Sequence, residues 1–119
     1  MSTIHFQKLE GAFVFLASIA GFIAAGGGLW LYIVLILAPD ISIAAYAINN
    51  RAGALAYNAV HNFAGPAVLL LAGFTLSSEL LYQLSAIWAG HVGMDRMFGF
   101  GLKEDNGFHS THLGKIGKN

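Results

Sequence analysis

Two histidines and two aspartates are the residues best suited to chemistry. His91 and Asp95 stand at i and i+4 in His91-Val92-Gly93-Met94-Asp95-Arg96, so on a helix they share one face, a turn apart. A neutral imidazole and a carboxylate so placed can ligate a cation or pass a proton. Asp40 lies eleven residues before Arg51, and His61 lies ten residues after it. If Arg51 marks the turn between two antiparallel helices, both sit at nearly one depth, ~15 Å from the turn at 1.5 Å per residue.

A charged Asp40 beside neutral histidines suits a divalent metal ion. Asp40, His61, His91 and Asp95 are then the expected ligands, with Asn58, Arg96 and His112 in supporting positions. Asn58 shares the His61 face at i−3 and is the expected orienter of that ring. Pro39 removes one backbone donor and frees a carbonyl near Asp40, a further candidate oxygen ligand. Water on the bound cation would be the nucleophile of a metal-dependent membrane hydrolase. A proton shared between Asp40 and a histidine describes a relay or an ion carrier instead. A third reading is structural: buried His and Asn hydrogen-bond membrane helices together, and His91 with Asp95 forms a helix-end ion pair to Arg96.

These residues need helices to position them, and the distribution of charge supplies the helices. The chain has 119 residues, 56% apolar and only 10% charged, with six basic residues balancing six acidic ones. An average soluble protein is about 25% charged. No net field or basic block draws nucleic acid, so no nucleic-acid partner is expected. There is no cysteine, which excludes disulfides and thiolate metal sites. No Asp, Glu, Lys or Arg occurs from Gly11 to Ala38, from Ala52 to Ser78, or from Leu80 to Met94.

The first gap would run about 42 Å as one helix, more than one crossing of a ~30 Å hydrocarbon core needs. Gly26-Gly27-Gly28 divides it. The spans are therefore expected at about 9–25, 29–48, 52–74 and 79–98. Asn49-Asn50-Arg51 forms the second turn, and Ser77 or Ser78 caps the last helix. Residues 99–119 form an irregular C-terminal tail that folds back over the mouth of the bundle. The expected fold is all-α: a small four-helix transmembrane bundle forming a single integral membrane domain, with a short cytoplasmic tail.

Lys8, Arg51, Arg96, Lys103, Lys115 and Lys118 then flank one membrane face, which puts both termini in the cytoplasm and opens the site to that side. A three-span chain would isolate Lys8 from the other five. The N-terminal run reads as a retained span, because Glu10 heads it and no small-residue cleavage site ends it. The lipid bilayer is the expected surrounding, and small residues Ala17, Gly21 and Ala25 on one face of span one suit a homodimer.

Six phrases in order resemble a family of small bacterial membrane proteins, domain of unknown function 4260. They are Leu9-Glu10-Gly11, Ala38-Pro39-Asp40, Gly53 to Asn58 with His61, His91 with Asp95-Arg96, Gly99 to Lys103, and Thr111 to Gly114. The resemblance implies a helical protein of the bacterial cytoplasmic (inner) membrane and implies no activity. The chain departs from the family pattern at His109-Ser110, where Lys-Asp is expected, and at Phe100, where Tyr is usual. The first departure takes a carboxylate away from the neighbourhood of His112 and weakens any role for His109.

Overall fold

The computed structural model describes residues 2–103 and 110–115. Four helical rods make up the body. The first is α1, Thr3–Ala24. The second joins α2, Leu29–Leu35, to a 3-10 helix, Ala38–Ala47. The third joins α3, Asn50–Val60, to α4, Ala64–Leu76. The fourth is α5, Glu79–Met97. Residues 110–115 add a two-residue antiparallel ladder, with Ser110 opposite Lys115 and Thr111 opposite Gly114. The expected all-α class and the four rods are as observed, and the first three rods are long and apolar enough to cross a membrane.

The turns follow local chemistry. Gly26 takes φ 82, a left-handed conformation that a side chain would disfavour, and so ends α1 where the glycine run predicts. The Asn49 side chain accepts from the Ala52 N–H and starts α3. Ser78 Oγ accepts from the Leu81 N–H and starts α5. The first helix begins earlier than the expected residue 9, because Ser2 Oγ accepts from the His5 N–H and so caps a turn that composition alone leaves out.

The larger corrections concern spans two and three, which are not continuous α-helices. Pro39 has no N–H, and Asp40 N–H donates to Leu37 O at 3.0 Å in the tighter i→i−3 pattern. At Asn62 the side-chain Oδ1 accepts from the Ala64 N–H, which interrupts the third rod between α3 and α4. Each break releases carbonyls that an unbroken helix would occupy.

Those carbonyls are met by α5. Gln83 donates to Ala25 O at the end of α1, and Trp88 Nε1 donates to Val60 O at 2.6 Å. His91 Nδ1 donates to Ile36 O, and Arg96 donates to His61 O at 3.0 Å. The last helix is thus the polar helix of the bundle, with Ser85, His91, Asp95 and Arg96 all buried. Its backbone also lies tightly on α1: a Cβ on Gly93 would come 2.8 Å from Gly11 O, and one on Gly11 would come 2.6 Å from Gly93 O. The close-packing glycine of α1 is therefore Gly11. Gly21, on the face expected to pair with a second copy, has nothing within 4 Å of its Cβ position.

The apolar core is small. Phe22, Tyr32 and Ile87 form it, with the Phe22 and Tyr32 rings edge to face at 5.3 Å. The Tyr32 hydroxyl is satisfied by Ser18 Oγ at 2.7 Å. Large apolar side chains such as Phe13, Trp30, Ile33, Ile41, Leu71 and Phe74 point outward. That inside-out distribution suits a hydrocarbon solvent. Replacing Trp88 by Phe keeps a ring against Gly65 but leaves the Val60 carbonyl without its donor. We expect W88F to lose about 1–3 kcal/mol of stability, the cost of an unsatisfied buried polar group, read by unfolding in mixed detergent micelles.

Candidate metal centre

The break at Pro39 builds the first half of the site. Asp40 sits in the first turn of the 3-10 helix. The switch to i→i−3 bonding frees Ile36 O, which accepts a hydrogen bond from His91 Nδ1–H. The carbonyl expected as a ligand from the sequence is therefore an orienter of the histidine. A carbonyl oxygen only accepts, so the proton must lie on Nδ1, and the neutral ring presents a bare lone pair at Nε2.

The third rod builds the second half with a carbonyl that still accepts its in-helix bond from the His61 N–H. His61 caps the C-terminus of α3, and its Nδ1 donates to Tyr57 O at 2.8 Å. Its Nε2 is likewise a bare lone pair in the neutral ring. The Tyr57 ring stacks on the His61 ring with centroids 3.6 Å apart and planes within 5°. The Tyr57 hydroxyl then reaches past it to donate to Asp95 Oδ2 at 3.1 Å. One tyrosine thus fixes a histidine plane and a carboxylate oxygen together.

The four expected residues close into one cluster. His61 Nε2 is 3.0 Å from His91 Nε2 and 3.0 Å from Asp40 Oδ1. His91 Nε2 is 3.1 Å from Asp40 Oδ1. Asp95 Oδ2 lies 3.4 Å from His91 Nε2 and 3.6 Å from His61 Nε2. One ligand atom from each of the four lies within 4.8 Å of all the others.

The chemistry of that set is one-sided. Two bare imidazole nitrogens and two carboxylate oxygens all bring lone pairs to one point. Such an arrangement repels itself unless a positive charge stands between the atoms. A tetrahedral ion with ligands at about 2.0–2.2 Å has ligand atoms about 3.3–3.6 Å apart; the two Asp95 separations fall in that range, and the 3.0 and 3.1 Å ones lie just below it. His61, His91 and Asp95 are buried, whereas the Asp40 side chain is 36% exposed. Asp40 and Asp95 line a cavity of about 300 Å³ shared with Tyr57 and Lys103.

Residues 4–116 match the family described as Domain of unknown function (DUF4260). The chain belongs to this family. No curated protein and no solved structure matches it.

In this DUF4260 member the supporting residues take roles other than those the sequence suggests. Asn58 does not orient His61. Its Oδ1 accepts from the Lys103 N–H at 2.6 Å and its Nδ2 donates to Lys103 O at 2.8 Å, so it clamps the tail. Arg96 is not the ion-pair partner of Asp95. Among the described residues every side-chain ion pair within 4.0 Å joins one of the two central histidines to Asp40 or Asp95. Arg96 instead binds His61 O and approaches His112 Nε2 at 3.4 Å. His112 Nδ1 accepts from the Leu102 N–H at 2.7 Å, which ties the tail to itself beside the site. His109 lies outside the described residues.

Tyr57 and Lys103 are positions at the candidate site that pattern reading missed. Tyr57 is i−4 to His61, the spacing that puts it on the same face, and that is the available signal. Lys103 is buried, and its Nζ lies 4.7 Å from the centroid of the Tyr57 ring. Burial lowers its pKa, while the nearby Asp95 and Asp40 charges pull it back up. The described tail residues pack back against the rods, Lys103 through the Asn58 clamp and His112 beside Arg96. Asn58→Ala removes both bonds to Lys103, worth about 1–3 kcal/mol together. It should expose residues 99–103 to limited proteolysis severalfold faster than wild type while leaving helix content unchanged by circular dichroism.

Proposed function

We propose that Asp40, His61, His91 and Asp95 bind one divalent metal ion, and that the protein is a metal-dependent membrane hydrolase. The observation that carries this reading is the convergence of four lone-pair donors, with both histidine tautomers held by backbone carbonyls. Nitrogen and oxygen ligands without thiolate favour a zinc-like first-row ion. When bound, the ion supplies Lewis acidity and lowers the pKa of water toward neutrality.

The residues divide the work around it. His61 and His91 hold fixed positions because their Nδ1 atoms are tied to Tyr57 O and Ile36 O. Tyr57 holds Asp95. Asp40 and Asp95 both line the cavity, but Asp40 is the more exposed and Tyr57 holds Asp95, so the Asp40 carboxylate is the one to exchange for substrate and to accept a proton from water. A structural site keeps all ligands closed, whereas a catalytic one keeps an open position. The exposure of Asp40 favours the second kind.

Metal content tests this directly. Wild-type protein purified in mild detergent should carry close to one equivalent of metal by elemental analysis, and His91→Ala and Asp40→Asn should fall to background while keeping their helix content. Wild type without stoichiometric metal after zinc reconstitution would sink the proposal. The 3.0 Å Nε2···Nε2 separation favours one alternative, a single proton shared between His61 and His91. That reading predicts a downfield shared-proton resonance in metal-free protein.

The proposal includes the setting: the cytoplasmic membrane of a bacterium, with both termini and the cavity on the cytoplasmic side. The one-sided distribution of Lys and Arg supports it. Single cysteines at positions 8 and 51 should react with an impermeant maleimide only in inverted vesicles, and one at position 77 only in right-side-out cells. The reverse pattern at position 77 would refute the orientation.

A further inference from the structure

The two carboxylates of the cluster are held differently. Asp40 meets the histidines through Oδ1, 3.0 Å from His61 Nε2 and 3.1 Å from His91 Nε2. No hydrogen bond among the described residues reaches its other oxygen. Asp95 is buried, and its Oδ2 has two sets of neighbours. That atom lies 3.4 Å from His91 Nε2 and 3.6 Å from His61 Nε2, and it accepts from the Tyr57 hydroxyl at 3.1 Å. The oxygen that faces the histidines is the same oxygen that the phenol holds.

Tyr57 cannot follow a carboxylate that moves. Its ring lies flat on His61, with centroids 3.6 Å apart and planes within 5°, and the residue is only 3% exposed. Its carbonyl accepts from the Nδ1 of the same histidine. The bond to Asp95 is the one hydrogen bond of the hydroxyl among the described residues. Turning the Asp95 carboxylate to bring its second oxygen to the histidines would break that bond. A buried hydroxyl would then stand without an acceptor, which is costly in the interior of a protein. Oδ2 is therefore pinned, and Asp95 presents one oxygen.

The number of oxygens matters because a carboxylate ligates through one or through two. If both aspartates chelated, the cluster would offer two nitrogens and four oxygens, the donor count of an octahedral ion. With Asp95 held to one oxygen, the protein offers four donors, or five when Asp40 chelates. Any further position must be filled from the cavity that Asp40 and Asp95 line. Four nitrogen and oxygen donors suit zinc, whereas magnesium, calcium and manganese take six or more ligands, chiefly oxygen.

We infer that Tyr57 is a positioning residue that confines Asp95 to ligation through one oxygen, and so makes the cluster select a four-coordinate ion over six-coordinate, oxygen-seeking ones. This rests on the metal reading above and goes beyond it by assigning the residue that sets metal selectivity. Tyr57 never touches the ion. It acts through the carboxylate that it holds.

The test compares full-length wild type, Tyr57→Phe and W88F, purified in mild detergent and reconstituted with zinc, manganese or cobalt. Tyr57→Phe keeps the ring on His61 and deletes the hydroxyl. Cobalt reports coordination number, because its visible absorption is intense with four ligands and weak with six. Wild type should show the intense band, and Tyr57→Phe should lose it severalfold as Asp95 becomes free to chelate. In competition with a metal-binding dye, the zinc-over-manganese affinity ratio should fall about tenfold or more in Tyr57→Phe, the size of effect that residues supporting metal ligands have. W88F, weakened elsewhere in the bundle, should keep the wild-type band and ratio, which a merely structural role of Tyr57 would not distinguish. A weak, six-coordinate band in cobalt-loaded wild type overturns the inference whether or not Tyr57→Phe folds. Metal-loaded Tyr57→Phe with unchanged band and ratio overturns it too and leaves the metal reading standing. Wild type that takes up neither zinc nor cobalt overturns the metal reading, and this inference with it.

Discussion

In hydrocarbon every backbone carbonyl must find a donor inside the protein. Two of the three apolar rods violate continuity, at Pro39 and at Asn62, and the first ends on a glycine turn. Each interruption leaves carbonyls that neither lipid nor the local helix can satisfy. The bundle answers with a fourth helix whose Gln83, Trp88, His91 and Arg96 side chains reach out to Ala25 O, Val60 O, Ile36 O and His61 O. That exchange accounts for the position of α5, for its polarity, and for the tight glycine contact with α1 that lets it sit so deep.

The candidate site is a by-product of the same exchange. A histidine that donates from Nδ1 to a carbonyl has its tautomer chosen, and its other nitrogen becomes an acceptor aimed away from the bond. Ile36 O does this for His91, and Tyr57 O does it for His61. The breaks thus act twice. They place Asp40 and His61 beside irregular segments, and the break at Pro39 frees the carbonyl that leaves the His91 Nε2 bare, while Tyr57 O accepts from both the His61 N–H and its ring. Tyr57 adds rigidity by stacking on His61 and hydrogen-bonding Asp95. Precision at a site comes from such supporting contacts more than from the ligands themselves.

The tail belongs to the site as much as the helices do. Asn58, on the turn before His61, spends both ends of its amide on the Lys103 backbone. His112 spends one ring nitrogen on the Leu102 N–H and turns the other toward Arg96. A chain segment that charge and glycine content mark as surface-lying is in this way drawn under the mouth of the bundle, and its lysine becomes part of the cavity wall.

Several features were legible without coordinates. Gaps free of charge gave the rods, glycine and asparagine runs gave their turns, and the nearly equal distances of Asp40 and His61 from Arg51 gave a shared depth. The i, i+4 relation of His91 and Asp95 needed only helical periodicity. These succeed because each depends on neighbours within a few residues or on the length of a helix. The roles of Asn58, Arg96 and Tyr57 depend instead on which atoms sixteen to forty-five residues away arrive beside them, as the partners of Arg96 and Asn58 show. An amide, a guanidinium or a phenol has several possible partners, and composition does not rank them. The carbonyl freed by Pro39 makes the same point. Sequence establishes that it is free, but only packing decides that it accepts a hydrogen bond from His91 and thereby leaves the opposite ring nitrogen facing Asp40.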